Sequence, residues 1–244
     1  MLEVTSLSRN FGGLHAVREL SFRIAPGEFL GVMGPNGAGK TTLLNLITGY
    51  LRPSAGSIDF QGRSIAGRRP FEICRMGIAR TFQVVRPFGE MSVLDNVIAG
   101  ALFSRARGVS LADARERARI PLELTGLWQK RAVRAGGLSI GEKKKLELAR
   151  ALATEPRLLL LDEVVSGLTE SEMEDLVAVL ARIHAAGTTI LMIEHIVEVI
   201  LRLSNRVLVL NFGQKLFEGT PREVVAHPAV VESYLGRPLD SVDA

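Results

Sequence analysis

One stretch of the sequence fits the pattern G-x-x-x-x-G-K-[S/T] in full, a pattern typical of loops that bind phosphate groups. Its residues are Gly34, Pro35, Asn36, Gly37, Ala38, Gly39, Lys40 and Thr41. Glycines allow the backbone to turn its N–H groups inward, so that several donors converge on phosphate oxygens. Lys40 would reach the β- and γ-phosphates, the hydroxyl of Thr41 would ligate Mg²⁺, and Thr42 would join the nucleotide contacts. The pattern predicts a site for a nucleoside triphosphate.

The segments on either side of this loop are the ones that such a motif requires. Residues 28–33 form an apolar run that predicts a buried strand, and Leu43, Leu46 and Ile47 have helical spacing. A helix that begins at the loop adds partial positive charge where phosphate would bind. A glycine turn that fits by chance is expected in roughly one chain of this length per hundred, and the flanking elements make it rarer.

Two carboxylates follow a second apolar run, residues 158–161. The run predicts a buried parallel strand, and Asp162 and Glu163 would emerge at its carboxyl end, where such sheets bind ligands. Asp162 would hold Mg²⁺, and Glu163 would polarise the water that attacks the γ-phosphate. Two adjacent acids alone would give even odds for this interpretation, and the phosphate loop strengthens it.

Two further polar residues follow segments of strand character. Gln83 could orient water or complete the Mg²⁺ shell, although a lone glutamine is usually an ordinary surface residue. His195 follows an apolar run at residues 188–193, and this strand end would point it at the phosphates. The other three histidines are predicted to be surface or satisfied core residues: His15, His184 and His227.

A helix is predicted from the spacing of Leu146, Ala149 and Leu152. Ser139 lies where its N-cap would be, and with the N–H of Gly141 it could instead contact a second phosphate. The lysines at 143–145 are predicted to form a solvent-exposed face of this helix.

Phe11 lies between two predicted strands, beside a pair of glycines. Its ring could stack on a nucleobase, whose flat face favours aromatic contact. A place in the core is about as probable for this residue taken alone.

Three short alternating segments predict half-buried strands of a small antiparallel sheet around the phosphate loop: residues 2–7, 20–24 and 56–60. Residues 92–134 have helical spacing, with an interruption at Pro121 and an end at Gly136 and Gly137. Residues 206–210 and 214–219 predict a last strand pair, followed by a helix from Arg222 onward.

We therefore predict an α/β fold with three parts. A mostly parallel phosphate-loop core is flanked by helices, an antiparallel β subdomain lies at the N-terminus, and an α-helical subdomain is inserted. Residues 1–244 would form one domain, with the core and β subdomain in 1–91 and 157–244 and the helical part in 92–156.

The composition of the chain argues against several kinds of partner and site. The net charge of +4 is modest and the basic residues are scattered, so no nucleic-acid partner is predicted. The single cysteine, Cys74, excludes an internal disulfide or a cysteine-based metal site. Neither a signal peptide nor a membrane span is predicted, so contact with a membrane would go through a partner.

Nearly the whole chain resembles the ATP-binding cassette subunits of ABC transporters. The matching segments, in the family's order, are residues 34–41 (Walker A), Gln83 (Q-loop), 138–142 (signature), 158–163 (Walker B) and His195 (switch histidine). Finer features are similar to the larger cassette subunit of branched-chain amino acid importers. They are residues 11–14, 77–83, 146–150, 193–195 and the tail from His227 to Gly236.

The resemblance implies an ATPase that uses ATP and Mg²⁺ on the cytoplasmic face of a bacterial inner membrane. It would bind two permease subunits and pair with a second cassette, identical or paralogous, and a periplasmic binding protein would feed the complex. Catalytic roles would belong to Glu163, His195 and Gln83, and a second subunit's nucleotide would be contacted by Ser139 and Gly141.

Departures from the family pattern leave alternatives open. The signature usually reads LSGGQ, and Ile140 and Glu142 differ, whereas the presumed phosphate contacts are retained. Val164 and Thr169 stand where the family usually has proline and an aspartate or asparagine, so a weakly hydrolysing regulatory cassette is a second interpretation. A soluble ABC ATPase of translation or DNA repair is a third, permitted by the pI of about 9.6. Such proteins typically carry two fused cassettes or a coiled-coil insertion, which 244 residues do not accommodate.

Overall fold

A computed structural model of the chain describes residues 1–104 and 108–235, without the side chains of residues 234 and 235. The predictions for the helical segment at 105–107, the C-terminal helix beyond 235 and the tail at Gly236 lie outside the described residues. The chain forms two compact units, one of Met1–Arg69 with Leu191–Ala244 and one of Pro70–Ile190. The boundaries predicted at 91/92 and 156/157 stay a prediction.

The described part of the chain contains both strands and α-helices, numbered in chain order. The strands are β1 (Leu2–Phe11), β2 (Leu14–Ile24), β3 (Phe29–Met33), β4 (Ala55–Phe60), β5 (Arg63–Ser64), β6 (Ile78–Arg80), β7 (Leu158–Asp162), β8 (Thr189–Ile193), β9 (Arg206–Asn211) and β10 (Gln214–Gly219). The α-helices are α1 (Lys40–Ile47), α2 (Pro70–Met76), α3 (Val93–Leu102), α4 (Leu111–Arg117), α5 (Arg119–Leu124), α6 (Ile140–Leu152), α7 (Glu170–Ala185), α8 (Val197–Leu203), α9 (Pro221–Ala226) and α10 (Pro228–Val230).

The first unit contains the predicted antiparallel sheet, in the order β2-β1-β4-β5. Strand β1 pairs with both long neighbours, so that Leu2 lies opposite Ile24 on one side and Phe60 on the other. Alternation of apolar and polar residues buries Leu2 and Val4 on one face and leaves Glu3 exposed. The antiparallel β subdomain predicted from sequence is confirmed.

The same unit holds the strand that precedes the phosphate loop. All five residues of β3 are buried, as expected for a strand covered on both faces. Strand β9 runs parallel to β3, with Val32 opposite Leu208, and β10 returns antiparallel to β9. The predicted last strand pair is confirmed.

The second unit combines a parallel strand pair with a helical cluster. Strands β6 and β7 are parallel, with Ala79 opposite Leu159, and β7 is buried throughout. Helices α3, α4, α5 and α6 share one apolar core, whose fully buried members include Val93, Val97, Ala101, Ala114, Leu122, Leu146 and Ala149. This cluster confirms the helical character predicted for most of residues 92–134, and mixed sheets flanked by helices confirm the α/β fold class.

Two details of the helical predictions are wrong. The helix is not interrupted at Pro121, which lies in the first turn of α5; it ends four residues earlier, at Arg117. A proline ring collides with the carbonyl of the fourth preceding residue, so the break falls upstream of the proline itself. Helix α8 follows His195 and was not predicted, because its seven residues are too short for a clear periodicity.

The C-terminal helix is also divided, where the sequence predicted one continuous helix from Arg222. Helix α9 ends at Ala226, because His227 precedes Pro228 and takes an extended conformation with ψ of 119°. Helix α10 and a π-helical turn, Val231–Leu235, continue the described chain.

Candidate nucleotide site

The phosphate loop of the first unit connects β3 to α1, as predicted. Gly34 and Gly39 have φ of 152° and 96°, which side chains rarely allow. A Cβ atom on Gly34 would overlap the carbonyl oxygen of Leu210, and one on Gly39 would overlap that of Ala16. Both glycines are therefore required by the backbone path and by the close approach of neighbouring strands.

The loop is closed by backbone hydrogen bonds and ends in an open helix start. The N–H of Ala38 donates to the carbonyl of Pro35 at 3.2 Å, and the carbonyl of Ala38 accepts from Gly213 at 3.2 Å. Gly39 is the N-cap of α1 and provides no side-chain cap. A helix start of this kind leaves its first N–H groups without a capping side chain, which suits an anion.

Lys40 lies within this loop and is 6% exposed. Its Nζ atom donates to the carbonyl oxygens of Gly34 and Pro35, at 2.6 and 2.9 Å. The ammonium group is thus held over the loop, close to the N–H groups that would meet phosphate. Thr41 is exposed and Thr42 is partly buried in the first turn of α1.

In the second unit, Asp162 ends β7 and forms an ion pair with Arg80. The Arg80 guanidinium lies 2.7 Å from Oδ2 of Asp162, and both side chains are 6% exposed. Arg80 belongs to a segment that resembles the importer group, but the sequence alone suggested no role for it. This contact fixes the orientation of the carboxylate. Removing either partner would leave an uncompensated buried charge.

Glu163, the next residue, is in contact with Gln83. Gln83 Nε2 donates to Oε2 of Glu163 at 2.5 Å. Glu163 itself has φ of 49°, a left-handed conformation that is uncommon for a residue other than glycine. The structure therefore brings together two of the three predicted catalytic side chains, and their roles stay predictions.

Mg²⁺ in nucleotide sites is held by one or two protein oxygen ligands together with the phosphates. Among the described residues there is no group of three or more His, Cys, Asp or Glu side chains that could hold a metal by themselves. Oxygen donors of the kind that this ion prefers are carried by Thr41 in the first unit and by Asp162 and Gln83 in the second. The Mg²⁺ role of each residue stays a prediction.

The N-cap role predicted for Ser139 is confirmed, because its Oγ accepts from the N–H of Glu142 at 3.2 Å, and Glu142 returns a bond in a capping box. The Ser139 hydroxyl also donates to Glu172 Oε1 at 3.4 Å. Hydrogen bonds from Thr169 and from the N–H of Gly141 lower the pKa of Glu172. A carboxylate thus accepts the two donors that were predicted to bind phosphate.

The prediction of a solvent-exposed lysine face is wrong for Lys144. This residue is 7% exposed, and its Nζ donates to the carbonyl oxygens of Ser166 and Glu163, at 2.6 and 3.3 Å. The burial of Lys144 could have been predicted from its position on α6, three residues after buried Gly141 and four before buried Leu148.

Glu147, one turn further along α6, is also buried, and the sequence suggested no role for it. Its Oε1 accepts the N–H of Phe82 at 3.0 Å, next to Gln83. Burial raises the pKa of Glu147 to about 6, while the Phe82 N–H and the charges of Arg150 and Lys144 oppose the rise.

Phe11 and His195 belong to the first unit. The Phe11 ring is 42% exposed, so the core interpretation is excluded, and the Arg9 guanidinium lies 4.6 Å from its centroid. His195 is exposed just after β8, and its backbone N–H donates to the buried carboxylate of Glu194 at 3.3 Å. The roles of Phe11 and His195 stay predictions.

The strand–loop–helix of the first unit and the acid-bearing strand of the second define a P-loop ATPase. The ABC transporter family model matches residues 17–166, and a model described as branched-chain amino acid ATP-binding cassette transporter matches residues 214–240. The chain belongs to the ABC transporter family and is an ABC-type ATPase.

Comparison with individual proteins is more specific than the family match. The high-affinity branched-chain amino acid transport ATP-binding protein LivG of Salmonella typhimurium is 38% identical, over 97% of this chain and 98% of that protein. A cassette of an ABC transporter solved in its ADP conformation, MJ1267, is 31% identical with a TM-score of 0.86, over 97% and 99% of the two chains. The dimeric cassette MJ0796 is 25% identical with a TM-score of 0.80, over 91% and 99%. In the part of the chain that is described, no helix is long and apolar enough to cross a bilayer.

Proposed function

We propose that this protein is the ATP-hydrolysing subunit of an importer for branched-chain or related small amino acids. It works at the cytoplasmic face of the bacterial inner membrane, where it drives two permease subunits that receive solute from a periplasmic binding protein. The observation that carries this assignment is the match to LivG over nearly the full length of both chains.

The loop of the first unit binds the nucleotide phosphates in this proposal. Backbone N–H groups of the loop and the start of α1 donate to the phosphate oxygens, and the Lys40 ammonium, already held at the loop carbonyls, adds a charge-assisted contact. Thr41 offers its hydroxyl to Mg²⁺, and Thr42 adds a polar contact. Exposed Phe11 stacks on the base.

The second unit supplies the groups for hydrolysis. Glu163 accepts a proton from the attacking water. Gln83, which donates a hydrogen bond to the Glu163 carboxylate, orients that water. Asp162 helps to hold Mg²⁺, which when bound neutralises charge on the β- and γ-phosphates. His195, carried by the first unit, contacts the γ-phosphate in this assignment.

Ser139 and Gly141 act on the nucleotide of a second cassette. Their donors at the start of α6 are already arranged for an anion, as their hydrogen bonds to the Glu172 carboxylate illustrate. A γ-phosphate from the partner cassette would take over these donors. The dimeric relative MJ0796 supports pairing with a second cassette.

The transport assignment is tested by co-purification with permeases encoded beside the gene, followed by solute uptake. Vesicles with the permeases and the wild-type cassette, with the binding protein outside, should take up leucine, isoleucine or valine when ATP is inside, and vesicles with Lys40→Ala should not. Permeases that do not co-purify would contradict the transport assignment. Uptake without stimulated ATP hydrolysis would favour a regulatory cassette, the interpretation left open by Val164 and Thr169.

The shared site is tested with Glu163→Gln. This change keeps the shape and hydrogen bonding of the side chain but removes the base, so hydrolysis should fall by ~10²–10⁴ while ATP binding persists. With ATP and Mg²⁺ the variant should form a longer-lived dimer than the wild type, with itself or with a paralogous cassette, in sedimentation experiments.

Adding Ser139→Arg should abolish that dimer by placing bulk at the shared phosphate. The Glu163→Gln protein with ADP in place of ATP serves as the control and should remain monomeric. Monomers in every ATP sample, despite measured ATP binding, would reject the shared site.

A further inference from the structure

Lys144 is a buried cation that donates hydrogen bonds to the turn after β7. Its ammonium reaches two carbonyl oxygens of that turn, those of Glu163 and Ser166, at 3.3 and 2.6 Å. Removing an ammonium group from water is costly unless hydrogen bonds replace the lost hydration. The burial of Lys144 is therefore coupled to one particular path of the backbone from 163 to 166.

That path is strained at Glu163. A left-handed conformation is unfavourable for a residue other than glycine, and here φ is 49°. The carbonyl oxygen of the same residue also accepts the N–H of Ser166 at 3.3 Å, which closes the turn. Lys144 thus donates to the peptide oxygen that would move if Glu163 relaxed to an ordinary extended or helical conformation.

The direction of the Glu163 side chain follows from this backbone. A rotation about φ of the residue swings Cβ and the carboxylate away from Gln83, whose amide lies 2.5 Å from Oε2. A general base must lie within hydrogen-bonding distance of its proton, so a shift of about 1 Å costs up to ~10² in rate.

We propose that Lys144 is a positioning residue for ATP hydrolysis, which holds the strained turn at Glu163 and thereby aims its carboxylate. The inference rests on the proposed role of Glu163 as the base. Lys144 lies on α6, the helix whose first turn carries Ser139 and Gly141, so it also joins the signature segment to the turn that carries the base.

The test compares Lys144→Met with Lys143→Met, its neighbour on the same helix. Methionine preserves the length of the stem but donates no hydrogen bond. Lys144→Met should lower kcat about tenfold to a hundredfold and leave the KM for ATP within about threefold, because the nucleotide contacts persist. Lys143→Met should match the wild type, and Lys144→Arg should recover part of the rate.

A second measurement is independent of catalysis. Hydrogen exchange followed by mass spectrometry should be faster in peptides that cover residues 163–168 of Lys144→Met, and unchanged there in Lys143→Met. Equal exchange in wild type and Lys144→Met would overturn the proposal, as would a wild-type kcat.

A double mutant separates positioning from an independent effect. If Lys144 acts through Glu163, adding Lys144→Met to Glu163→Gln should leave the residual rate unchanged within about twofold. A full multiplicative loss would overturn the proposal. Glu163→Gln with undiminished hydrolysis would instead reject the proposed base, so the two failures are distinguishable.

A third variant covers the case in which Lys144→Met does not fold. Lys144→Gln preserves an N–H donor on a shorter stem and should show the same split between kcat and KM with a smaller loss. A wild-type kcat in this variant despite faster exchange at residues 163–168 would overturn the proposal.

Discussion

Lys40 makes two hydrogen bonds within the phosphate loop. Its ammonium donates hydrogen bonds to the carbonyl oxygens of Gly34 and Pro35, so the charge is held at the loop. Phosphate binding should therefore cost little side-chain entropy, because the residue is buried and its ammonium is hydrogen-bonded.

Lys40→Ala should therefore weaken ATP binding rather than hydrolysis alone. Loss of a charge-assisted contact of about 1.5–3 kcal/mol corresponds to roughly tenfold to a hundredfold in affinity. Equilibrium titration with a fluorescent ATP analogue measures it, with Lys143→Ala as the control for removal of a positive charge. Equal affinity in wild type and Lys40→Ala would remove this loop from the nucleotide site.

At the scale of elements, the phosphate loop is held by backbone approaches that tolerate no side chain. Gly39 is adjacent to the carbonyl oxygen of Ala16 on β2, whereas Gly37, with φ of 80°, has open space around its Cβ position. Two glycines of the same motif therefore share a positive φ, but only Gly39 has a neighbour at its Cβ position. This difference permits a matched comparison.

Gly37→Ala should cost about 1–2 kcal/mol of unfolding free energy, because alanine is strained in the left-handed region. Gly39→Ala is also strained, at a φ of 96°, and adds an overlap with the backbone of β2, so its cost should be clearly larger. Urea unfolding of both variants measures the difference. Equal losses would contradict the close approach at Gly39.

Helix α6 contacts two backbone segments of the second unit that carry or adjoin proposed catalytic residues. Its first turn presents Ser139 and Gly141, its middle holds the turn at Glu163 through Lys144, and Glu147 binds the backbone of Phe82 beside Gln83. Movement of this one helix would reach the base and the Q-loop together.

At the scale of the whole molecule, the buried Glu147 makes stability depend on pH. Its pKa is about 6 in the folded protein against an ordinary value of 4.5, so between these values the folded state binds more protons than the unfolded state. The contribution of this group to stability is fully present below pH 4.5 and is lost as the pH rises through 6.

The free energy of unfolding of the wild type, measured against Glu147→Gln, should therefore fall by about 2 kcal/mol from pH 4.5 to pH 7. Urea unfolding at several pH values tests this. Glu90→Gln, at a side chain that is 94% exposed, should preserve the wild-type profile. Parallel profiles for wild type and Glu147→Gln would contradict the raised pKa.

The sequence by itself determined the class of protein, because the chemistry of its motifs depends on residue type and local spacing. The eight residues of the phosphate loop lie in one stretch, and so do the strand and acids of 158–163, so periodicity and motif spacing were sufficient to predict the elements around them. The capping role of Ser139 followed in the same way from its place before a helix.

Only the tertiary structure decided which polar groups are buried and what they bind. Three consecutive lysines are alike in sequence, yet Lys144 alone among them is buried, because the orientation of α6 against the turn at Glu163 selects it. The pairs Arg80–Asp162 and Glu147–Phe82 join residues more than sixty positions apart. Local sequence patterns contain no information on such partners, because the partner of a buried group depends on how separate elements pack.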